Sequence, residues 1–461
     1  VDTGSTASFW VVASGTGTFT YQWSLNGTAI SGATGPLCTV TGASSANAGN
    51  YTVTVTNTAG SATSQAATLT VNSASVTTPI AFALEPLPQS IAFGGSVVFY
   101  APAIPSVSPN IATARSPDAA ETVTYQWFLN DVAIASATGS TYVISGATAA
   151  DNGSYTCVAT DSSGSVVSTP ATLNVVTTSN PGRLTNLSCR ANSEAGANEL
   201  IAGYEIGGQG TSGSLPVLVR ASGPALAGFG VPGTLPDPEL TLDQSVSGVN
   251  QNVATNAGWG GTEQLVNAAA SVGAFAWSSA TSKDSALYVN LGGGAYTAQV
   301  TGVSNDSGVA LAEVYDATPS GSYTLSSPRL TNISARVEVG TGGNILIAGF
   351  EISGTTSKTV LIRASGPVLK NFGLTGVLPD PELSLYQSVA GVNTLLQTNT
   401  GWGENPQIAT AAGNVGAFSW GTTATADSAI LVTLPPGAYT AEEAGASGDT
   451  GIGLIEVYEV P

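Results

Sequence analysis

The feature that most limits what this chain can fold into is that it is built from two pairs of internal repeats. "YQWSLNGTAI" (Tyr21–Ile30) returns as "YQWFLNDVAI" (Tyr125–Ile134), and "ANAGNYTVTVTNTAGS" (Ala46–Ser61) returns as "ADNGSYTCVATDSSGS" (Ala150–Ser165). Trp23 and Trp127 stand 104 positions apart, as do Tyr51 and Tyr155. Further on, "PVLVRASGPALAGFGVPGTLPDPELTLDQSVSGVNQNVATNAGWGG" (Pro216–Gly261) aligns at an offset of 143 with the stretch Thr359–Glu404, with 29 of 46 positions identical. Such periodicity sets domain organisation before any other reading. With 461 residues, the chain divides into expected units 1–73, 79–176, 183–316 and 329–461, linked by "VTTSNPG" and "TPSGSYTLSSP".

Within each unit, short runs such as "YTVTV", "ATLTV", "ELTLDQ" and "ALYVNL" alternate apolar and polar residues between Gly, Asn, Ser and Pro clusters. Period-2 alternation broken at this rate signals half-buried strands and leaves no room for a long helix. The expected fold class is all-β: four tandem β-sandwich domains, the later two jelly-roll-like repeats.

A Trp followed by Asp/Asn-x-Gly-x-Tyr-x-Cys, complete in "DNGSYTC" (Asp151–Cys157), resembles the signature of bacterial immunoglobulin-like domains of the I-set type. That resemblance covers 1–73 and 79–176 and implies a core Trp and a Tyr whose hydroxyl bonds back to the backbone. Val53 stands at the second Cys position of the first unit, and the strand that would hold the first Cys reads "FWVVA" in one unit and "FYAPA" in the other, so Cys157 has no expected partner, and Cys38, Cys157 and Cys189 read as small buried apolar side chains. The second unit carries a Pro/Ser/Ala-rich insertion between Ala101 and Thr124, expected as a surface loop. The later pair resembles the repeated β-domain behind immunoglobulin-like domains in large bacterial surface proteins and, more loosely, pre-peptidase C-terminal domains. This implies an extracellular accessory or structural module.

Composition narrows function. Charged residues are 8% of the chain, against about 25% in an ordinary globular protein, and net charge is −19 without a Lys/Arg cluster. That argues against nucleic acid and other polyanionic partners. The chain has no His, which removes His-based triads, imidazole metal sites and pH switches near neutrality. It also has no Met, from which a processed or trimmed chain is expected, and no apolar run long enough to span a membrane. A secreted, cell-surface location is expected.

Candidate chemistry is sparse. Asp237 and Glu239, repeated as Asp380 and Glu382 in "LPDPEL", form either a Pro-bounded turn or a calcium edge; no other cofactor is expected. Arg220 and Arg363 lie on apolar strands and, with Glu205, Glu313, Glu351 and Glu456 at matched positions, suggest a buried Arg–Glu pair or a ligand-binding Arg. "RASGP" lacks the Gly that precedes a nucleophilic Ser, and no residue supplies a base, so no enzyme activity is expected. Trp277 and Trp420, after "VGAF", read as core, whereas Trp259 and Trp402 in Gly-rich loops read as exposed glycan contacts.

Aligning Val1 with Ile91 leaves the first domain without a counterpart of "PIAFALEPLPQS" (Pro79–Ser90). The expected consequence is an assembly edge along Ser5, Ala7, Phe9 and Val11. It is served by upstream chain, by a strand donated from a neighbouring subunit, or left open. The functional expectation is an extracellular structural subunit of a surface filament, self-associating into a polymer. The alternative is an adhesin or carbohydrate-binding array.

Overall fold

The computed structural model describes residues 1–72, 79–106, 122–194, 196, 199–277, 279–403, 405–420 and 426–461. Most of the insertion expected between Ala101 and Thr124 therefore lies outside the described residues. The chain divides into two compact units, Val1–Ser90 with Val98–Val175, and Ile91–Val97 with Val176–Pro461.

In the first unit, one domain runs β1 (Ala7–Trp10), β2 (Thr20–Leu25), β3 (Thr28–Ala29), β4 (Leu37–Val40), β5 (Gly49–Asn57), β6 (Gly60–Thr63) and β7 (Ala67–Leu69). β1 pairs with β4, and the facing sheet is ordered β3-β2-β5-β6 with β7 also on β5. The second domain runs β8 (Ala81–Phe82), β9 (Gln89–Ala92), β10 (Val97–Tyr100), β11 (Ala103–Ile104), β12 (Thr124–Leu129), β13 (Val132–Ala133), β14 (Thr141–Ile144), β15 (Gly153–Asp161), β16 (Gly164–Val167) and β17 (Ala171–Val176). Here β10 pairs with β14, opposite a sheet containing β13-β12-β15-β17.

The local reasons repeat in both domains. Asn26 and Gly27, both at positive φ (50° and 82°), make the tight turn between β2 and β3 that such a hairpin requires. Trp23 and Trp127 are buried and each indole N–H donates 2.9 Å to a loop carbonyl, of Gly35 and Gly139. Tyr51 and Tyr155 donate to the carbonyls of Asn47 and Asp151 at 2.9 and 2.8 Å, closing the two tyrosine corners. Trp127 lies opposite Cys157, and Trp23 opposite Val53. All three thiols are free and buried, and burial pushes the Cys157 thiol up to about 12.

The second unit departs from the expectation of two separate jelly-roll-like sandwiches. Its first repeat supplies β18 (Arg183–Ser193), β19 (Leu200–Gly207), β20 (Ser214–Ser222), β21 (Pro238–Val246), β22 (Val249–Asn256), α1 (Glu263–Ser271), β23 (Ser285–Gly292), β24 (Gly294–Gly302) and β25 (Gly308–Asp316). The second supplies β26 (Arg329–Val339), β27 (Leu346–Ser353), β28 (Lys358–Ser365), β29 (Pro381–Val389), β30 (Val392–Asn399), α2 (Pro406–Asn414), β31 (Ser428–Leu434), β32 (Gly437–Gly445) and β33 (Gly451–Glu459).

The sixteen strands form two runs, β22-β21-β24-β19-β26-β33-β28-β31 and β30-β29-β32-β27-β18-β25-β20-β23, touching through the pair Leu184–Leu330. Each run is half one repeat and half the other. β18 lies between its own β25 and the other repeat's β27, while β26 lies between β33 and β19. The physical cause is shared burial. Leu184, Leu187, Cys189 and Ala191 of β18 and Leu330, Ile333, Ala335 and Val337 of β26 all enter one apolar cluster with residues from both repeats. Each fully buried Leu or Ile there contributes roughly 1.5–3 kcal/mol. The two repeats therefore make a single sandwich. The nine-residue helices α1 and α2 were not legible in the alternation.

Interleaving makes a prediction about fragments. Residues 183–316 expressed alone leave β18 and β19 without β27 and β26, so the fragment should be unfolded or dimeric by size-exclusion chromatography. Adding separately produced 329–461 should restore a 1:1 complex with native circular dichroism. A well-folded monomer of either fragment would contradict the shared core.

Candidate functional site

The most elaborate polar arrangement among the described residues is built twice, once per repeat, on the outer side of β20/β25 and β28/β33. Strand register sets Arg220 directly opposite Glu313, and Arg363 opposite Glu456. The ion-pair contacts are 3.3 and 3.5 Å, and both arginines are only 2% exposed. Each guanidinium also donates to a loop carbonyl, Phe275 at 2.8 Å and Phe418 at 3.0 Å. It is flanked by two rings: Phe275 and Trp277 at 4.5 and 4.2 Å from Arg220, Phe418 and Trp420 at 4.2 and 4.3 Å from Arg363. Desolvated cation–π contacts of this kind add to the ion pair.

The acids are held in turn. Tyr315 and Tyr458 donate 2.6 Å hydrogen bonds to Glu313 and Glu456. Burial pushes both carboxyls above their ordinary range, against the pull of the facing arginine. Of the four matched glutamates, the structure selects these; Glu205 and Glu351 are exposed. The Trp277 and Trp420 indoles donate to the Ser222 and Ser365 hydroxyls, so the serines of "RASGP" are bound within this packing.

One pair of residues escaped sequence reasoning. Asp284 and Asp427, fully buried, accept the Gly223 and Gly366 N–H groups at 2.7 Å and fasten the "SGP" turn. Their signal was the recurrence of "DSA" at 284–286 and 427–429.

Trp259 and Trp402, expected as exposed contacts, are buried at 8% exposure. Their Gly-rich loops fold back so that each ring meets the second Trp edge-on, Trp277 at 5.1 Å and Trp420 at 5.7 Å. Trp402 lines a small cavity of about 160 Å³ with Arg363, Ile408, Phe418 and Trp420. The "LPDPEL" acids are half-buried, and Asp237 meets the exposed Lys283 at 3.6 Å. Among the described residues, no group of three or more acidic, Cys or His side chains converges to hold a metal.

At the candidate assembly edge, Ala7 is buried and Phe9 stacks on Tyr51 at 4.2 Å, so both side chains belong to the domain's core. Ser5 and Val11 are half-buried, and the Thr6 carbonyl accepts the Ser165 N–H of β16 at 2.6 Å. Asp2 and Asn72 form a short parallel bridge. Beyond Thr6 the edge borders a cleft of about 300 Å³ lined by Phe9, Trp10, Val11, Trp23, Gln65 and Ala67. The second domain covers the same place with its own chain: Glu85 accepts both the N–H and the hydroxyl of Thr169, the counterpart of Gln65.

The immunoglobulin domain family matches residues 112–175. No curated protein matches the chain. Solved structures similar to it include the N-terminal Ig1-2 module of the Drosophila receptor protein tyrosine phosphatase DLAR, 20% identical, covering 38% of this chain and 92% of that one, with a TM-score of 0.25. The N-terminal four Ig domains of Dscam1 isoform 8.4 are 19% identical over 38% and 42% of the two chains, TM-score 0.17. A chimeric titin Z1Z2-Z1Z2 tandem is 21% identical over 38% and 93%, TM-score 0.18. The family match thus places an immunoglobulin domain at residues 112–175, and both domains of the first unit carry a tyrosine corner. Among the described residues no helix is long and apolar enough to cross a membrane.

The buried pair and one unmatched acid give two predictions. Arg220→Met strands the Glu313 carboxylate and should lower the stability of the sandwich by about 3–5 kcal/mol in urea titrations, whereas Arg220→Met with Glu313→Leu should recover most of it.

Glu443, fully buried, has no hydrogen-bond partner for either oxygen among the described residues, and it occupies the place of Val300 in the first repeat. Burial first, then the Asp427 and Glu456 carboxylates, raise it well above 4.5. The folded chain therefore holds this proton more tightly than the unfolded chain. Its contribution is full below about pH 4.5 and is lost as pH rises toward the folded value. Glu443→Val should remove that slope and stabilise the neutral-pH protein by about 1–3 kcal/mol, measured by urea midpoints across pH.

Proposed function

We propose that the chain is an extracellular structural subunit of a surface filament or fibre, in which a strand from a neighbouring copy lies along β1 beyond Thr6. The observation that carries this reading is the uncovered cleft beside Phe9, Trp10 and Val11, set against the equivalent place in the second domain, closed by the Glu85 segment. An apolar cleft along an unpaired strand edge is the geometry that strand addition uses, with main-chain bonds for affinity and side-chain pockets for specificity. The scarcity of surface ions, 8% of residues, also lets copies approach with little ion desolvation. The Ser165–Thr6 bond narrows the donated strand's path to Ser8–Val12. The alternative, an adhesin or carbohydrate-binding array, has less support at Trp259 and Trp402, each 8% exposed.

The test uses the intact chain and a synthetic peptide of its own Pro79–Ser90 sequence. Negative-stain electron microscopy should show fibres at high protein concentration. The peptide should bind in the micromolar range and shorten the fibres, and Trp10→Lys should weaken both effects. Dispersed monomers at every concentration and salt level, with no peptide binding, would sink the proposal.

A further inference from the structure

Beside the buried arginine lies one surface groove whose lining residue types both repeats carry at matched places. A groove of about 360 Å³ runs over the outer face of β18 and β27, lined among others by Ser188, Arg190, Phe229, Phe275, Gly349 and Thr440. It draws on both repeats and exists only because their strands interleave. The same residue types recur at Ser334, Arg336, Phe372, Phe418, Gly203 and Thr297 around β26 and β19.

Its chemistry is specific. Arg190 sits mid-strand, opposite Leu311 and Ile347, and Arg336 opposite Leu454 and Ile201. In a chain with only 10 Lys and Arg and net charge −19, neither makes an ion pair among the described residues. Glu442 and Glu199 are near enough to feel these guanidinium charges without closing on them. Phe229 and Phe372 are 66% and 60% exposed, yet held edge-on at 5.1 Å against Phe275 and Phe418. Rigid, exposed aromatic rings repeated beside a half-buried, unpaired cation are poorly explained by packing. Gly349 and Gly203 keep the floor flat: a Cβ at either would lie 2.5 Å from the Ser188 or Ser334 hydroxyl.

These features select the ligand class. β18 and β27 are interior strands with both edges paired, so an extended peptide finds no main-chain groups to pair with. A pyranose ring needs none; it takes an aromatic face, hydroxyl partners and a flat floor. The net charge opposes a long polyanion, whereas one guanidinium matches one carboxylate.

We propose that this groove, and by its matched residues the face around Arg336, each bind a single carboxylate-bearing sugar, a uronate unit capping or branching an otherwise neutral glycan. The ring rests on Phe229 or Phe372 and the carboxylate on Arg190 or Arg336. This is independent of the filament reading.

The experiment is calorimetric titration of the full chain with a trisaccharide of two galactose units capped by glucuronate. Two sites per chain are expected, with galactotriose binding at least about tenfold more weakly. Arg190→Gln should reduce the stoichiometry to one, and Arg190→Gln with Arg336→Gln should abolish binding. Phe229→Ala with Phe372→Ala should weaken both sites, all with unchanged urea midpoints. Absence of binding, equal binding of galactotriose or of a triaspartate peptide, or a double Arg variant that binds like the parent would each overturn the assignment.

Discussion

Everything in the second unit depends on the pairing of each repeat's first strand with the other repeat's second. β18 against β27 and β26 against β19 close edges that neither repeat closes by itself. The hydrogen-bonded rows then run through both repeats. One such row passes from Arg220 through Glu313, Ser188, Gly349 and Thr440 to Tyr386, crossing from the first repeat to the second between Ser188 and Gly349. A buried ion pair near one end and an open groove near the middle thus share a single register. Side chains on a strand alternate faces, so a slip of one residue would drive Arg220 into the apolar core and empty the groove.

That coupling gives the buried arginines a physical purpose in a chain so poor in charge. Removing a guanidinium and a carboxylate from water costs more than their attraction returns unless further partners are supplied. Here they are: two aromatic faces and a loop carbonyl for each arginine, a tyrosine hydroxyl for each glutamate. The arrangement ties β20, β25 and the aromatic loop at 275–277 together at one point. Its effect is to specify one register and one loop path more than to add net stability.

Much of this was legible in residue patterns. The two Trp positions, the tyrosine corners and the Asn-Gly turn depend on short-range spacing, which survives in sequence whatever the rest of the fold does. The Arg–Glu pair was legible because rare charges recurred, though only register could choose Glu313 over Glu205. The interleaving was not legible. "RLTNLSCRA" of β18 and "RLTNISARV" of β26 alternate identically, so β19 and β27 are chemically equivalent partners for either, and pattern alone cannot say which pairs with which. The loop tryptophans failed for another reason. Gly-rich surroundings suggest exposure in sequence, whereas in the structure the glycines allow the loop to fold back and bury the indoles.

The differences between the repeats are as informative as the likenesses. In the core, Val300, Ala310 and Ser193 of the first repeat are replaced together by Glu443, Gly453 and Val339 in the second. The exchange is sterically linked, since a Cβ at Gly453 would lie 2.7 Å from both the Glu443 carboxylate and a Val339 methyl group. The interior has therefore diverged as a compensated set, keeping volume while changing chemistry. The outer face keeps Arg, Phe, Ser, Gly and Thr at matched places, the glycines because a Cβ there would lie 2.5 Å from the facing Ser hydroxyl.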